Sequence, residues 1–252
     1  MKPHDSLSVS IGCAGWSIPR SHAGSFPISG SHLERYASRF HAVEINSSFY
    51  RPHRPQTYAK WAASVPEHFR FAVKVPKVIT HEQRLNNSEI ALSKFLEEVM
   101  ELGDKLGPLL VQLPPSLIFD NGVVDDFFSS LRDRFSGQVV CEPRHPSWFS
   151  PEAESVMKRM QVARVAADPA VVAGASEPGG WSDQVYYRLH GSPTIYRSSY
   201  SAEFLKNLSA SLHAKVALGI SVWCIFDNTA EGAATGNALE LAALLRMNAE
   251  LS

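Results

Sequence analysis

Short apolar runs of strand type alternate with helical stripes along the whole 252-residue chain, about eight times over. The strand-type runs cover residues 8–13, 42–45, 69–75, 109–113, 139–142, 162–167, 185–189 and 220–226. Between them apolar residues recur at helical spacing: Leu33, Tyr36, Ala37 and Phe40, then Tyr58, Trp61, Ala62 and Val65, then Leu92, Phe95, Leu96 and Val99, then Val124, Phe127, Phe128 and Leu131. Ser150-Pro151-Glu152 reads as the N-cap, first-turn proline and first-turn acid of a helix reaching Met160. Residues 204–212 and 239–247 complete the set, and the glycine- and proline-bearing stretch from Asp168 to Trp181 holds no long helix. Such alternation predicts a parallel sheet with helices outside it. Eight units in a chain of about 250 residues predict one α/β domain over 1–252, a single TIM-type (β/α)8 barrel that is irregular around its sixth helix.

Several function classes lose ground on composition. No GxGxxG fingerprint and no GxxxxGK[ST] loop occurs. A net charge of -1 provides no global field for nucleic acid or anionic membrane. Cys13, Cys141 and Cys224 form no CxxC pair and each lies in an apolar run, so they read as reduced core residues. The N-terminus lacks the apolar centre of a signal peptide, and no apolar run approaches the roughly 20 residues needed to cross a bilayer. The expectation is a cytoplasmic protein without membrane contact.

The runs end in charge. In VVCEPRHPSW, residues 139–148, two apolar residues lead into Glu142, Arg144 and His145, and Pro146, Ser147 and Trp148 break the pattern. Alternate strand residues share a face. Val140, Glu142 and Arg144 therefore group together, as do Tyr186, Arg188 and His190, then Ala72 and Lys74, then Ala42, Glu44 and Asn46, then Ala166 and Asp168. Active sites of such barrels lie at the C-terminal strand ends, and buried charges persist where they pair or act. Glu142 or Glu44 fits a general base, and Lys74 or His190 an acid. Arg144 and Arg188 offer planar forks for a phosphate or carboxylate. Trp16, Asn46, Tyr50, Gln112, Trp148 and Asp168 complete the expected substrate-binding set, and Phe49 and Tyr196 add to an aromatic rim. Glu142, Asp168, His190 and Asp227 offer ligands for a divalent ion. Lys74, Arg144 and Arg188 crowd the same ends and repel a cation, so no metal or other cofactor is assigned. His41, His53 and His81 lie in or beside loops and read as solvated.

GCAGWS, VEINSSFYR, FRFAVKVPKVITHEQRL, LGPLLVQLPPS, EPRHPSWF, YYRLHG and the final FDN stand at these strand ends. In that order they resemble the YecE-like proteins, the family of the domain of unknown function 72, from about Ile11 to the last helix. The resemblance implies a TIM-type barrel and no established activity. Its motif falls on Gly12, Gly15, Trp16, Glu44, Asn46, Phe49, Tyr50, Lys74, Thr80, His81, Gln112, Pro114, Glu142, Arg144, His145, Trp148, Arg188, His190 and Gly191. One departure is Asp227-Asn228, where the family carries two asparagines, and Asp227 is accordingly left out of the expected site.

The leading expectation is an enzyme acting on a small anionic or sugar-like substrate by hydrolysis or isomerisation, with a small-molecule ligand as its partner. Two other readings stay open. One is a nucleic-acid-binding or repair protein resembling barrel endonucleases of the apurinic-site class. The other is a barrel that binds a metabolite without turnover.

Overall fold

A computed structural model describes residues 9–250. Ser8 and the N-terminal stretch weighed as a signal peptide lie outside the described residues. The elements run β1 (Ser10–Cys13), α1 (His32–Ala37), β2 (Ala42–Ile45), α2 (Pro55–Ala63), β3 (Arg70–Lys74), α3 (Glu89–Val99), β4 (Leu106–Gln112), α4 (Asn121–Arg132), β5 (Val139–Glu142), α5 (Pro151–Arg159), β6 (Val162–Arg164), β7 (Ala166–Asp168), β8 (Gly179–Gly180), β9 (Gln184–Leu189), α6 (Ala202–Ala217), β10 (Ser221–Phe226) and α7 (Ala233–Glu250). No helix among the described residues is long and apolar enough to cross a membrane.

Local chemistry sets the helix starts. Ser31 and Glu34 close a reciprocal capping box on α1, with Ser31 N donating to Glu34 Oε2 at 2.7 Å and Glu34 N donating to Ser31 Oγ at 3.3 Å. Ser150 caps α5 as its sequence predicts, accepting from Ala153 N, with Pro151 in the first turn. The stripes of α3 and α4 are buried at every expected position.

The strands form a six-stranded sheet ordered β2-β3-β4-β5-β6-β8 and a four-stranded sheet ordered β1-β10-β9-β7. All neighbours are parallel except β8, which runs antiparallel to β6. The sixth expected run, 162–167, is divided around Val165. Its first part pairs with β5 and its second with β9. One stretch thus borders both sheets, and Val165 N donates to Cys141 O at the changeover. No helix intervenes between β7 and β9, where β8 lies instead.

Two apolar cores result. The larger lies between strands and helices and holds the three free cysteines, Cys13, Cys141 and Cys224. The smaller draws Ala42, Ala72, Leu110, Val140 and Ala163 from one sheet, Tyr186, Trp223 and Ile225 from the other, and Val165 from the changeover. Gly107 makes room for it. A Cβ there would stand 2.7 Å from the Trp223 ring, so only glycine lets β10 present tryptophan toward β4. The apolar run in the sequence places the start of this strand at Leu109, just after Pro108. The structure starts it at Leu106 and absorbs the proline in a register shift opposite Phe71–Val73.

β1 and β2, the edges of different sheets, meet at a bridge between Ala14 and Glu44. Gly15 N donates to Glu44 O at 2.9 Å there. Below the bridge Tyr36 spans the seam, accepting from Cys13 N at 2.8 Å and donating to Ala42 O at 3.1 Å. Tyr36→Phe removes that link and strands a buried N–H. It should cost about 1–3 kcal/mol, read as a lower denaturation midpoint at unchanged slope. A loss below roughly 0.5 kcal/mol, the range of neutral surface changes, would show that the phenol does not hold the seam.

Candidate functional site

The smaller core positions the charges. Glu44, Lys74, Gln112, Glu142, Arg188 and Asp227 each stand two residues beyond one of its members: Ala42, Ala72, Leu110, Val140, Tyr186 and Ile225. Period-two geometry then aims all six along the same face, past the apolar layer, to the C-terminal strand ends.

Arg188 is the centre of the cluster and only 1 % exposed. Its Nη2 donates to Glu44 Oε1 at 2.8 Å, and Nε reaches both Glu44 oxygens at 3.2 and 3.1 Å. Nη1 donates to Glu142 Oε2 at 3.1 Å, and Nη2 lies 3.0 Å from Asp227 Oδ2. Tyr186 donates its hydroxyl to Glu44 Oε2 at 2.8 Å. Arg144 closes on Glu142 Oε1 from the outer side at 3.0–3.1 Å. His190 is held between two carboxylates, with Nε2 3.1 Å from Glu142 Oε1 and Nδ1 3.0 Å from Asp227 Oδ2. An imidazolium donates from both nitrogens, so this arrangement fits the cation.

The ionisation states follow. Burial opposes charge on Glu142, but Arg188, His190 and Arg144 together hold it well below the usual carboxylate range. Burial likewise opposes the His190 cation, and Glu142 and Asp227 outweigh it, raising its pKa. Asp227 is lowered against burial by Arg188 and His190. Lys74 goes the other way. Burial, then Arg188, bring its amine from 10.5 down to about 8, against the partial opposition of Glu44, Glu142 and Asp227. Among the described residues Lys74 has no carboxylate within ion-pairing distance, and its Nζ sits 4.0 Å over the Phe49 ring.

Above this floor lies a rim of Arg144, His81 and Tyr196. His81 meets Phe49 edge-on at 4.9 Å, and Thr80 Oγ1 lies 2.8 Å from its Nδ1. His81 and Lys74 thus meet the same Phe49 ring, and burial, Lys74 and Arg144 all lower the His81 pKa and favour its neutral form. Tyr196 stands edge-on to His190 at 5.7 Å, interacts through its hydroxyl with Arg144, and carries φ +67. A bulky side chain in that backbone region is an outlier of the kind found at functional sites. The loops that follow His190 and Asp227 also line a hollow of about 510 Å³ that includes Thr194, Ser199 and the Arg197–Glu231 pair.

Glu44, Lys74, Glu142, Arg144, Arg188 and His190 are thus brought together as the sequence groups them. Gln112 joins through its β5 neighbour, paired in register with Glu142. Asn46 follows β2, and its buried Oδ1 has no hydrogen-bond partner. Other expected residues lie elsewhere. Trp148 is fully buried in the larger core, donating from Nε1 to Leu117 O and packed on Phe119. Trp16 packs edge-on against Trp61 at 5.1 Å. Tyr50 is 71 % exposed beside a separate groove of about 230 Å³. Asp168 has the wrong parity for the site. Ala163 and Val165 face the smaller core, so Asp168 points outward and accepts from the Tyr200 hydroxyl at 2.9 Å. Arg188 is occupied by three carboxylates, leaving Arg144 as the arginine open to a ligand.

The sequence leaves Asp227 out of the site on the family pattern and gives His81 as a solvated loop residue; both contribute here. The alternation Ile225-Phe226-Asp227 carries the signal for Asp227. Glu142, His190 and Asp227 converge, but around a guanidinium. Among the described residues no group of three or more histidine, cysteine or carboxylate side chains is arranged to hold a metal ion.

A parallel α/β protein with a buried ionic cluster and an arginine-bearing rim at its strand ends is the class this geometry defines. Residues 10–251 match the family described as "Protein of unknown function DUF72", and the chain belongs to that family. It is 29% identical over 153 residues to the UPF0759 protein YecE of Escherichia coli, covering 60% of this chain and 54% of that protein. It is also 29% identical over 159 residues to the UPF0759 protein YunF of Bacillus subtilis, covering 57% and 53%. The alignments therefore span about half the length of these curated relatives. Crystal structures of DUF72 family proteins show the same fold. The one from Enterococcus faecalis superposes with a TM-score of 0.80 at 24% identity, covering 95% of this chain and 96% of that one. The one from Thermotoga maritima gives 0.76 at 23%, covering 94% and 99%.

Proposed function

We propose that the chain is an acid–base enzyme acting on a small anionic substrate at the mouth of a single-domain (β/α)8 barrel. Barrel closure is supported by the Ala14–Glu44 bridge, by the split run 162–168 bordering both sheets, and by the inner core shared between them. The observation that carries the function is Lys74. It is an amine 6 % exposed, without a carboxylate partner, beside a cluster in which every other charge is paired. A fold that needed this lysine only for stability would pair it, because an unpaired buried charge is costly. With a pKa near 8 it exchanges a proton close to neutrality. Glu142, ionised and hydrogen-bonded to Arg144, supplies the proton acceptor. Arg144 supplies the positive charge of the rim and His81, held neutral by burial and the neighbouring cations, a hydrogen-bonding ring beside it, which fits a phosphate or carboxylate. Hydrolysis and isomerisation both use such a proton donor and acceptor pair.

The test is a turnover screen by NMR with phosphorylated and carboxylated sugars and small acids. Wild-type protein is expected to convert at least one anionic member. Lys74→Met should lower that rate by about 10²–10⁴-fold with an unchanged circular dichroism spectrum. Absence of turnover across the panel, or equal rates in the variant, would reject the enzyme reading and favour a non-catalytic ligand-binding role.

A further inference from the structure

We infer that Lys74 acts as a covalent nucleophile, forming an imine with a small aldehyde or keto compound that also carries an anionic group. This deepens the acid–base reading and rests on it. Imine chemistry needs a lysine that is neutral at working pH, shielded from water and close to groups that can pass protons. The end of β3 supplies all three. The Lys74 side chain is nearly enclosed and has no carboxylate within ion-pairing distance among the described residues, so burial outweighs the pull of the Phe49 ring face toward the ammonium. Arg188 behind it disfavours protonation. Glu44, Glu142 and Asp227 are near enough to act on it electrostatically without being bonded to it.

The step balances without a redox partner. The Nζ lone pair forms a bond to the carbonyl carbon, and the carbonyl oxygen takes up a proton as Nζ releases one. The hydroxyl of the carbinolamine then takes up a second proton, delivered from solvent, as its C–O bond breaks with the nitrogen lone pair; one water leaves and a protonated imine remains. That cation replaces a neutral amine, and the three neighbouring carboxylates favour it. The anionic group of the same molecule meets Arg144, with the neutral His81 ring, which packs on the same Phe49 ring as Lys74, as a hydrogen-bonding neighbour. The site thereby selects carbonyl compounds with a carboxylate or phosphate over neutral ones.

The experiment treats the full chain with glyoxylate, or with acetaldehyde as a neutral probe, and traps adducts with sodium borohydride. Peptide mass spectrometry then compares Lys74 with the exposed Lys60 and Lys94. At pH 8 an amine with a pKa near 8 is about half unprotonated, against roughly 0.4 % for an ordinary lysine. Lower basicity returns part of that gain, leaving an expected preference of roughly tenfold. Glyoxylate should label Lys74 at least about tenfold faster than the two reference lysines, with a rate that climbs through pH 8. Arg144→Ala should slow labelling by glyoxylate by a larger factor than labelling by acetaldehyde, and Lys74→Arg should abolish the adduct. Lys74 labelled no faster than Lys60 and Lys94 overturns imine formation. If the wild type still converts a member of the substrate panel, the proton-transfer reading stands alone. If it converts none and forms no adduct, both fall.

Discussion

Arg188→Met should remove about 3–5 kcal/mol of folding stability at neutral pH, the usual cost of leaving buried charges without their partner. The side chain it deletes holds Glu44 through both carboxylate oxygens, Glu142 through Nη1 and Asp227 through Nη2, all within about 3 Å and all buried. Methionine fills the volume but leaves those carboxylates with His190, Arg144 and Tyr186 alone. The loss should depend on pH with a defined sign. In the wild type the folded-state pKa values of Glu142 and Asp227 are depressed below 4.5 and 3.8. Their stabilisation is therefore present above those values and lost as pH falls through the folded-state ones. Without the guanidinium, burial dominates and the folded carboxylates take up protons more readily than unfolded ones. The variant should then gain stability relative to wild type as pH falls toward about 4, and the two denaturation curves should converge. Arg188→Lys keeps the charge without the fork and should fall between them. A loss below about 1 kcal/mol, the level of an exposed ion pair, or a gap that ignores pH, would remove Arg188 from the centre of the cluster.

Gly12→Ala should be nearly as damaging, through sterics rather than charge. A Cβ on Gly12 would stand 2.1 Å from Ala42 O and 2.7 Å from Ala42 C, both backbone atoms, and 3.1 Å from the Tyr36 hydroxyl. A side chain could swing away from such a clash, but β2 can retreat only by opening the seam that Tyr36 spans. A cost of roughly 3 kcal/mol is expected, at the upper end for overpacking. Gly24→Ala is the control, because nothing lies within 4 Å of its Cβ, and it should stay within about 0.5 kcal/mol of wild type. Denaturation midpoints measured in parallel decide the matter. Equal midpoints for the two variants would mean that β1 and β2 are free to separate.

The strand ends show how far the sequence carries the site. Glu44, Lys74, Glu142 and Arg188 were legible because each closes an apolar run, and period-two alternation ties each to an apolar residue two positions back. The same rule misplaces Asp168. Parity says which residues share a face, and it does not say which face looks inward. In the run 162–168 only the contacts of Ala163 and Val165 with other strands settle that. Trp148 escaped for a different reason. It lies in a 3₁₀ turn, Pro146–Phe149, where strand parity does not apply. Asp227 was discounted on the family pattern, whereas its distance to Arg188 and His190 depends on how β10 lies against β9.

The sequence by itself determined the order of strands and helices, the helix caps, and the charged residues at the strand ends. These follow from local periodicity and from hydrogen bonds that reach only a few residues. Only the tertiary structure decided that Arg188 is spent on three carboxylates, that Lys74 has none, and that one run changes partners between two sheets. Those facts depend on which distant side chains meet in a space from which water is excluded. Pairing across such a space is set by strand register and by which face turns inward, and neither is written in any short stretch of the chain.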